Sequence, residues 1–138
     1  MSAESGRAPS PNRDAALDAL VDHLVSLTNR ARERASPRLT LLQAEALTLI
    51  ENRPGLPVAR LAELLGTGIS STSRLCDRLE AAGLIHRAPR PENRRVVALR
   101  VLADGQRLLR GIRDARREAA RAALAAYREG GRVARRLA

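Results

Sequence analysis

The segment LAELLGTGISSTSRLCDRLEAAGLIHRAPRPENRRVVALRV, Leu61 to Val101, constrains the fold more than any other part of the chain. It reads as a short helix stopped by Gly66, a tight turn, a second helix ended by Gly83, and two strands joined by a Pro- and Arg-rich loop. Helix, turn, helix and hairpin in that order can lay one helix in a DNA major groove and set a loop against the backbone.

Helical periodicity extends on both sides of this unit. Leu17, Leu20, Val21, Leu24 and Leu27 predict a first helix from about Asp14 to Arg34, which Pro37 separates from the next. Thr40 and Gln43 have capping-box spacing and open a helix that runs to about Glu51, ended by the turn Asn52-Arg53-Pro54-Gly55. Two further helices follow, Val58 to Leu65 and about Ile69 to Ala82, then strands at Leu84–Arg87 and Arg95–Leu102. Val97, Leu99 and Val101 share one face of the second strand. A last helix is expected from about Asp104 to Arg128, breaking at Gly130-Gly131. The fold class is therefore mainly α with a small antiparallel β-hairpin wing: a winged helix-turn-helix with N- and C-terminal dimerisation helices. One domain is expected over 14–138, with dimerisation helices at about 14–34 and 104–138 and the DNA-binding part at about 40–102. Residues 1–13, rich in Ser, Pro and Gly, read as a disordered lead-in rather than a secretory signal.

Charge narrows the partner. The formal net charge is +10 over 138 residues, and it is uneven: 1–59 is neutral, 60–100 carries +4 and 101–138 carries +6. A basic excess over the hairpin unit and the tail points to a polyanion. All 25 basic residues are Arg, beside much Ala, which fits a GC-rich genome, so the charge and not the choice of Arg is the evidence. Readers of single strands stack bases on aromatic side chains, whereas this chain has no Phe, no Trp and only Tyr127. Double-stranded DNA is the better candidate. There is no run of about 18 apolar residues for a membrane span. The single Cys76 excludes an internal disulfide and fits a cytoplasmic location.

In the second helix of the unit, Thr72, Leu75, Cys76 and Leu79 form the apolar stripe. The other side carries Ser70, Ser71, Ser73, Arg74 and Arg78. Short hydroxyls near a helix N-terminus allow close approach to a groove, and Arg74 is long enough for a bidentate contact with guanine. Arg90, Arg94 and Arg95 in the hairpin loop suit phosphates or a narrow minor groove. A capped, solvated helix and an ordinary surface turn are the plain readings of these two stretches. On the last helix, Leu108, Ile112, Ala115, Ala119, Ala122 and Ala126 keep a 4-3-4-3-4 spacing suited to a partner helix. With Leu17, Leu20 and Leu24 they form the expected dimer interface. Arg110, Arg113, Arg117 and Arg121 read as a solvated stripe beside Asp114 and Glu118. Cys76 reads as a small core hydrophobe, although Arg74 and Arg78 nearby could activate it. His23 and His86 belong to no metal-ligand grouping, so neither metal nor cofactor is expected. No nucleophile–base pair or phosphate-cradling loop can be assembled, which argues against an enzyme.

The stretches LTLLQAEAL, PVARLAELLG, SRLCDRLEAAGLIHR and ENRRVVALRVLADGQRLL resemble the multiple-antibiotic-resistance regulator (MarR) family, over about Leu17 to Tyr127. The resemblance implies a homodimeric winged-helix regulator whose terminal helices pair, whose Ile69–Ala82 helix enters the major groove and whose wing reaches the minor groove. It also implies a small-molecule effector, often phenolic or an aromatic carboxylate. The expectation is a repressor of nearby genes on a palindromic operator, released by such a ligand. Several positions depart from the family pattern. Asn93 replaces an Asp before the Arg pair, Thr67-Gly68 replaces an apolar residue and a Ser cap, and Val101-Leu102 replaces Leu-Thr, leaving Asp104 as a substitute cap. Only RVARRLA follows the glycine pair where relatives carry another full helix, so a weaker dimer is expected. The rival reading is a winged-helix interaction module that has lost operator binding and docks on a protein.

Overall fold

A computed structural model describes residues 11–35 and 37–137. Its elements are α1 (Pro11–Arg34), α2 (Leu41–Asn52), β1 (Leu56–Pro57), α3 (Val58–Leu65), α4 (Ile69–Ala81), β2 (Ile85–Pro89), β3 (Val97–Val101) and α5 (Ala103–Leu137). The sheet has three antiparallel strands in the order β1-β3-β2, so the expected hairpin gains a third strand through Leu56↔Leu99 and Pro57↔Ala98. α1 already begins at Pro11, taking in the end of the expected lead-in; residues 1–10 lie outside the described residues. No described helix is long and apolar enough to cross a membrane.

Local chemistry accounts for the element ends. Thr40 Oγ1 accepts from Gln43 N at 3.1 Å while Gln43 Oε1 accepts from Thr40 N at 2.9 Å, a reciprocal cap that opens α2. Gly66 takes the left-handed conformation at φ +67° that a side chain would strain, and Thr67 N donates to Ala62 O, ending α3. Gly105 serves a different purpose. A Cβ there would lie 2.4 Å from Leu84 O, so only glycine lets α5 press its first turn against the Leu84 backbone.

The core lies between α2, α3, α4, the sheet and the start of α5. Leu47, Ile50, Leu61, Leu79, Leu84, Ile85 and Leu99 are fully buried, each contributing about 1.5–3 kcal/mol of hydrophobic stabilisation. α1 packs along α5 outside this core.

Two expectations about α5 change. It does not break at Gly130-Gly131 but continues to Leu137 as one 35-residue helix. A helical glycine costs only about 1 kcal/mol relative to Ala, and the surrounding Arg, Glu and Ala residues favour helix. Ile112 of the expected intersubunit seam is only 3% exposed and belongs to the chain's own core. Leu108 packs against that core, and Ala115, Ala119 and Ala122 line a cavity between α5 and the same chain's α1. Ala115, Ala122 and Ala126 are exposed and Ala119 is half-buried, so only the start of the seam, Leu108 and Ile112, is taken up by the chain's own core.

Candidate nucleic-acid interface

α4 has the two-faced character that its spacing predicts. Thr72, Leu75, Cys76 and Leu79 are buried, while Ser70, Ser71, Arg74 and Arg78 are exposed. Ser73 differs from its expected placement: it is half-buried on the flank of the helix. The altered Thr67-Gly68 turn is held from inside. Thr72 Oγ1 lies 2.8 Å from Thr67 Oγ1 and donates to Gly68 O at 2.9 Å. Gly68 occupies the N-cap with no side-chain hydrogen bond, so the first-turn N–H groups of α4 are not taken up by a cap. Such an end attracts anions.

The acids of α4 are answered by Arg87 of β2. Its Nη2 donates to Asp77 Oδ1 at 2.5 Å and to Glu80 Oε1 at 3.3 Å, and its backbone N donates to Glu80 Oε2 at 3.0 Å. Burial lowers the Arg87 pKa, but the bonds to Asp77 and Glu80 outweigh it and hold the guanidinium above its ordinary value. The sequence reading missed this cluster because its partners sit on different elements. Their i, i+3 acids facing a strand arginine are the only signal.

The wing is β2, β3 and the tip between them. Arg90 N donates to Val96 O, Asn93 N to Arg90 O and Val96 N to Asn93 O, closing the tip into a tight turn. Asn93 Oδ1 accepts from Arg95 N at 3.2 Å. The Asn that replaces the family Asp therefore orders the Arg pair through the backbone. Arg94 and Arg95 are exposed, as a backbone-contacting tip requires. Arg90 does not join them: its Nη2 donates to Gly55 O at 2.8 Å, fastening the wing to the turn before β1. Asp104 likewise is no cap, since it lies inside α5 and pairs with Arg107. Between the α2 start and α4 runs a cleft of about 280 Å³, bounded by Thr40, Gln43, Ser71, Arg74 and Arg78.

Other side chains bear on the same face indirectly. Cys76 is fully buried, and desolvation pushes its thiol up to about 11; Asp77 and Glu80 add to the rise and only Arg87 opposes it. Arg74 and Arg78 do not activate it. Arg113 leaves the expected solvated stripe for a bidentate pair with Glu51 at the end of α2, at 2.5 and 3.3 Å. Among the described residues no three His, Cys, Asp or Glu side chains are grouped to hold a metal ion.

Of the remaining expected interface residues, Leu17 is 47% exposed, and Leu20 and Leu24 are half-buried. The spacing did not single out Val21 and Val25 on α1, or Leu124 and Tyr127 on α5, as an exposed apolar surface. Between the two helices lies a cavity of about 990 Å³, with Leu27, Leu84 and Leu108 on its walls and Arg30, Arg34 and Arg107 beside them.

Comparison with known proteins agrees with this geometry. The MarR family model matches residues 39–97, from the residue before the α2 cap to the first residue of β3. Over 74 residues the chain is 32% identical to an uncharacterized HTH-type transcriptional regulator, YfiV, of Bacillus subtilis (strain 168). That match takes in 54% of this chain and 46% of the relative, so the matched part spans about half the relative's length. The crystal structure of RV1404 from Mycobacterium tuberculosis is 29% identical with a TM-score of 0.71, covering 91% of this chain and 98% of that one. A point mutant of S. aureus MepR, bound to an oligodeoxyribonucleotide, is 16% identical and shares the fold at a TM-score of 0.76, covering 91% of this chain and 92% of that one. The winged-helix core, residues 39–97, thus matches the MarR family model, and the long flanking helices complete a fold shared with these solved structures.

Proposed function

We propose that this protein is a homodimeric, sequence-specific double-stranded DNA-binding transcriptional regulator, acting as a repressor. One observation carries the reading. α4 presents Ser70, Ser71, Arg74 and Arg78 outward from an uncapped N-terminus, its acids held by Arg87, beside a wing tip bearing Arg94 and Arg95. The same fold sits on DNA in S. aureus MepR. α4 reads bases in the major groove, with Arg74 as the bidentate reader of guanine, and Arg94 and Arg95 hold the backbone or minor groove. Arg90 acts as a wing fastener. The departures that favour docking on a protein instead, Thr67-Gly68 and Asn93, are each compensated by internal hydrogen bonds.

The apolar strip of Leu17, Val21, Val25, Leu124 and Tyr127 is the surface a second copy covers. A two-fold pair sets two α4 helices about 34 Å apart, one DNA turn, and so demands a palindromic site. The cavity between α1 and α5 takes the effector, an aromatic carboxylate whose ring meets Leu27 and Leu108 and whose charge meets Arg30 and Arg34.

The test is selection of bound duplexes from a random pool, followed by footprinting and mutants. A palindrome with half-sites one turn apart is expected. Arg74→Ala costs about 1–3 kcal/mol and relaxes one position per half-site. Arg94→Ala weakens all sequences evenly and flattens the salt dependence. Failure to enrich any sequence, or unchanged affinity in both mutants, would refute the reading.

A further inference from the structure

Ile69, the first residue of α4, is 63% exposed. It is a large aliphatic side chain at the end of the helix that enters the groove, on a turn with no acidic residue and no side-chain cap. Ser70 and Ser71, exposed beside it, are short enough not to screen it. The core does not use it: the buried stripe of α4 starts at Thr72.

A sec-butyl side chain offers no hydrogen bond, so facing a donor or acceptor edge it strips water from polar atoms without replacing it. In the major groove one base feature escapes that penalty, the C5-methyl of thymine. Resting on the reading of α4 as the recognition helix, we infer that Ile69 is a specificity-determining residue that packs on a thymine methyl, selecting dT at one position in each half-site. Arg74, five residues and about 1.4 turns further along the helix, then reads a different base, a guanine, by hydrogen bonds, so one helix combines apolar and polar readout.

The test uses the full chain and the duplex it enriches from a random pool. Each dT is replaced singly by deoxyuridine, which removes only the C5-methyl, and affinity is followed by fluorescence anisotropy. One dT per half-site is expected to lose about fourfold on replacement, the factor carried by one buried carbon, and about fifteenfold when both half-sites are changed. Ile69→Ser loses a similar factor on the dT duplex and no longer distinguishes dT from deoxyuridine, while Ile69→Val keeps the preference. Thermal unfolding of Ile69→Ser at the wild-type temperature certifies its fold. Tolerance of deoxyuridine at every position, or an Ile69→Ser variant that still discriminates, overturns the inference and leaves the regulator reading standing. If the wild type enriches no sequence, both fall.

Discussion

The stretch from Leu39 to Leu102 and the pair α1 and α5 are built on opposite plans. The first closes around its own core of Leu47, Ile50, Leu61, Leu79, Leu84, Ile85 and Leu99, a capping box opens α2, Gly66 ends α3, and Arg87 and Arg90 tie its strands to their neighbours. The second leaves Val21 54% and Val25 52% exposed and borders an open cavity of about 990 Å³. A self-contained unit needs no partner to be stable, whereas long helices with an uncovered apolar strip gain by burying it. The difference teaches where to look for each function: rigid geometry for reading a duplex, unfinished surface for assembly.

Mutations can break this contrast. Ile112 belongs to the closed unit although it sits on α5, so Ile112→Ala is expected to cost about 2–5 kcal/mol in denaturant unfolding. A loss under 1 kcal/mol, with dimerisation abolished instead, would return Ile112 to the interface. Cys76 gives a pH test of the same core. Its thiol stays protonated in the folded chain up to about 11 but ionises near its ordinary 9.0 once unfolded. From pH 9 to 11 the folded state therefore binds the extra proton and stability falls, by roughly 2–3 kcal/mol in all. Cys76→Ala should flatten that alkaline decline; an unchanged slope would show that the thiol is not its source. Gly105→Ala drives a Cβ against Leu84 O and is expected to cost about 1–3 kcal/mol despite alanine's helix preference. A stabilised variant would mean that α5 can back away from Leu84. The smallest change in stability is expected from Val21→Ser, within about 0.5 kcal/mol for the monomer, while sedimentation shows the dimer dissociating at higher concentration. An unaltered dimer would move the assembly surface elsewhere.

The parts of this molecule that the sequence announced are those with local causes. The Thr40–Gln43 box, the left-handed Gly66 and the i, i+3, i+4, i+7 stripe of α4 each act within a few residues, and each stands where its pattern points. What escaped depends on distant neighbours. β1 is two residues long, contains Pro57 and exists only because β3 lies beside it. Arg90 resembled its loop companions until Gly55, 35 residues away, supplied a carbonyl. Ser73 sits on the boundary of the helical wheel, where a small rotation decides burial. The seam of α5 pointed to a partner helix along its whole length, but its start, Leu108 and Ile112, packs on the chain's own core while Ala115, Ala122 and Ala126 stay exposed.

The ion pair between Arg113 and Glu51 has a mechanical consequence. It clamps α5 to the end of α2, as Gly105 clamps its start to Leu84, so the first ten residues of α5 move as one body with the sheet and α4. Beyond Arg113 the helix, with α1 packed along it, extends for about 36 Å as a stiff rod. In a pair of chains joined near the tip of that rod, a tilt of about 5° at the joint displaces each reading head by about 3 Å, close to the rise of one base pair. In the dimer proposed above, such an arm would convert a slight change of angle between two chains into a change of register on a duplex, with no hinge needed inside the Leu39–Leu102 unit.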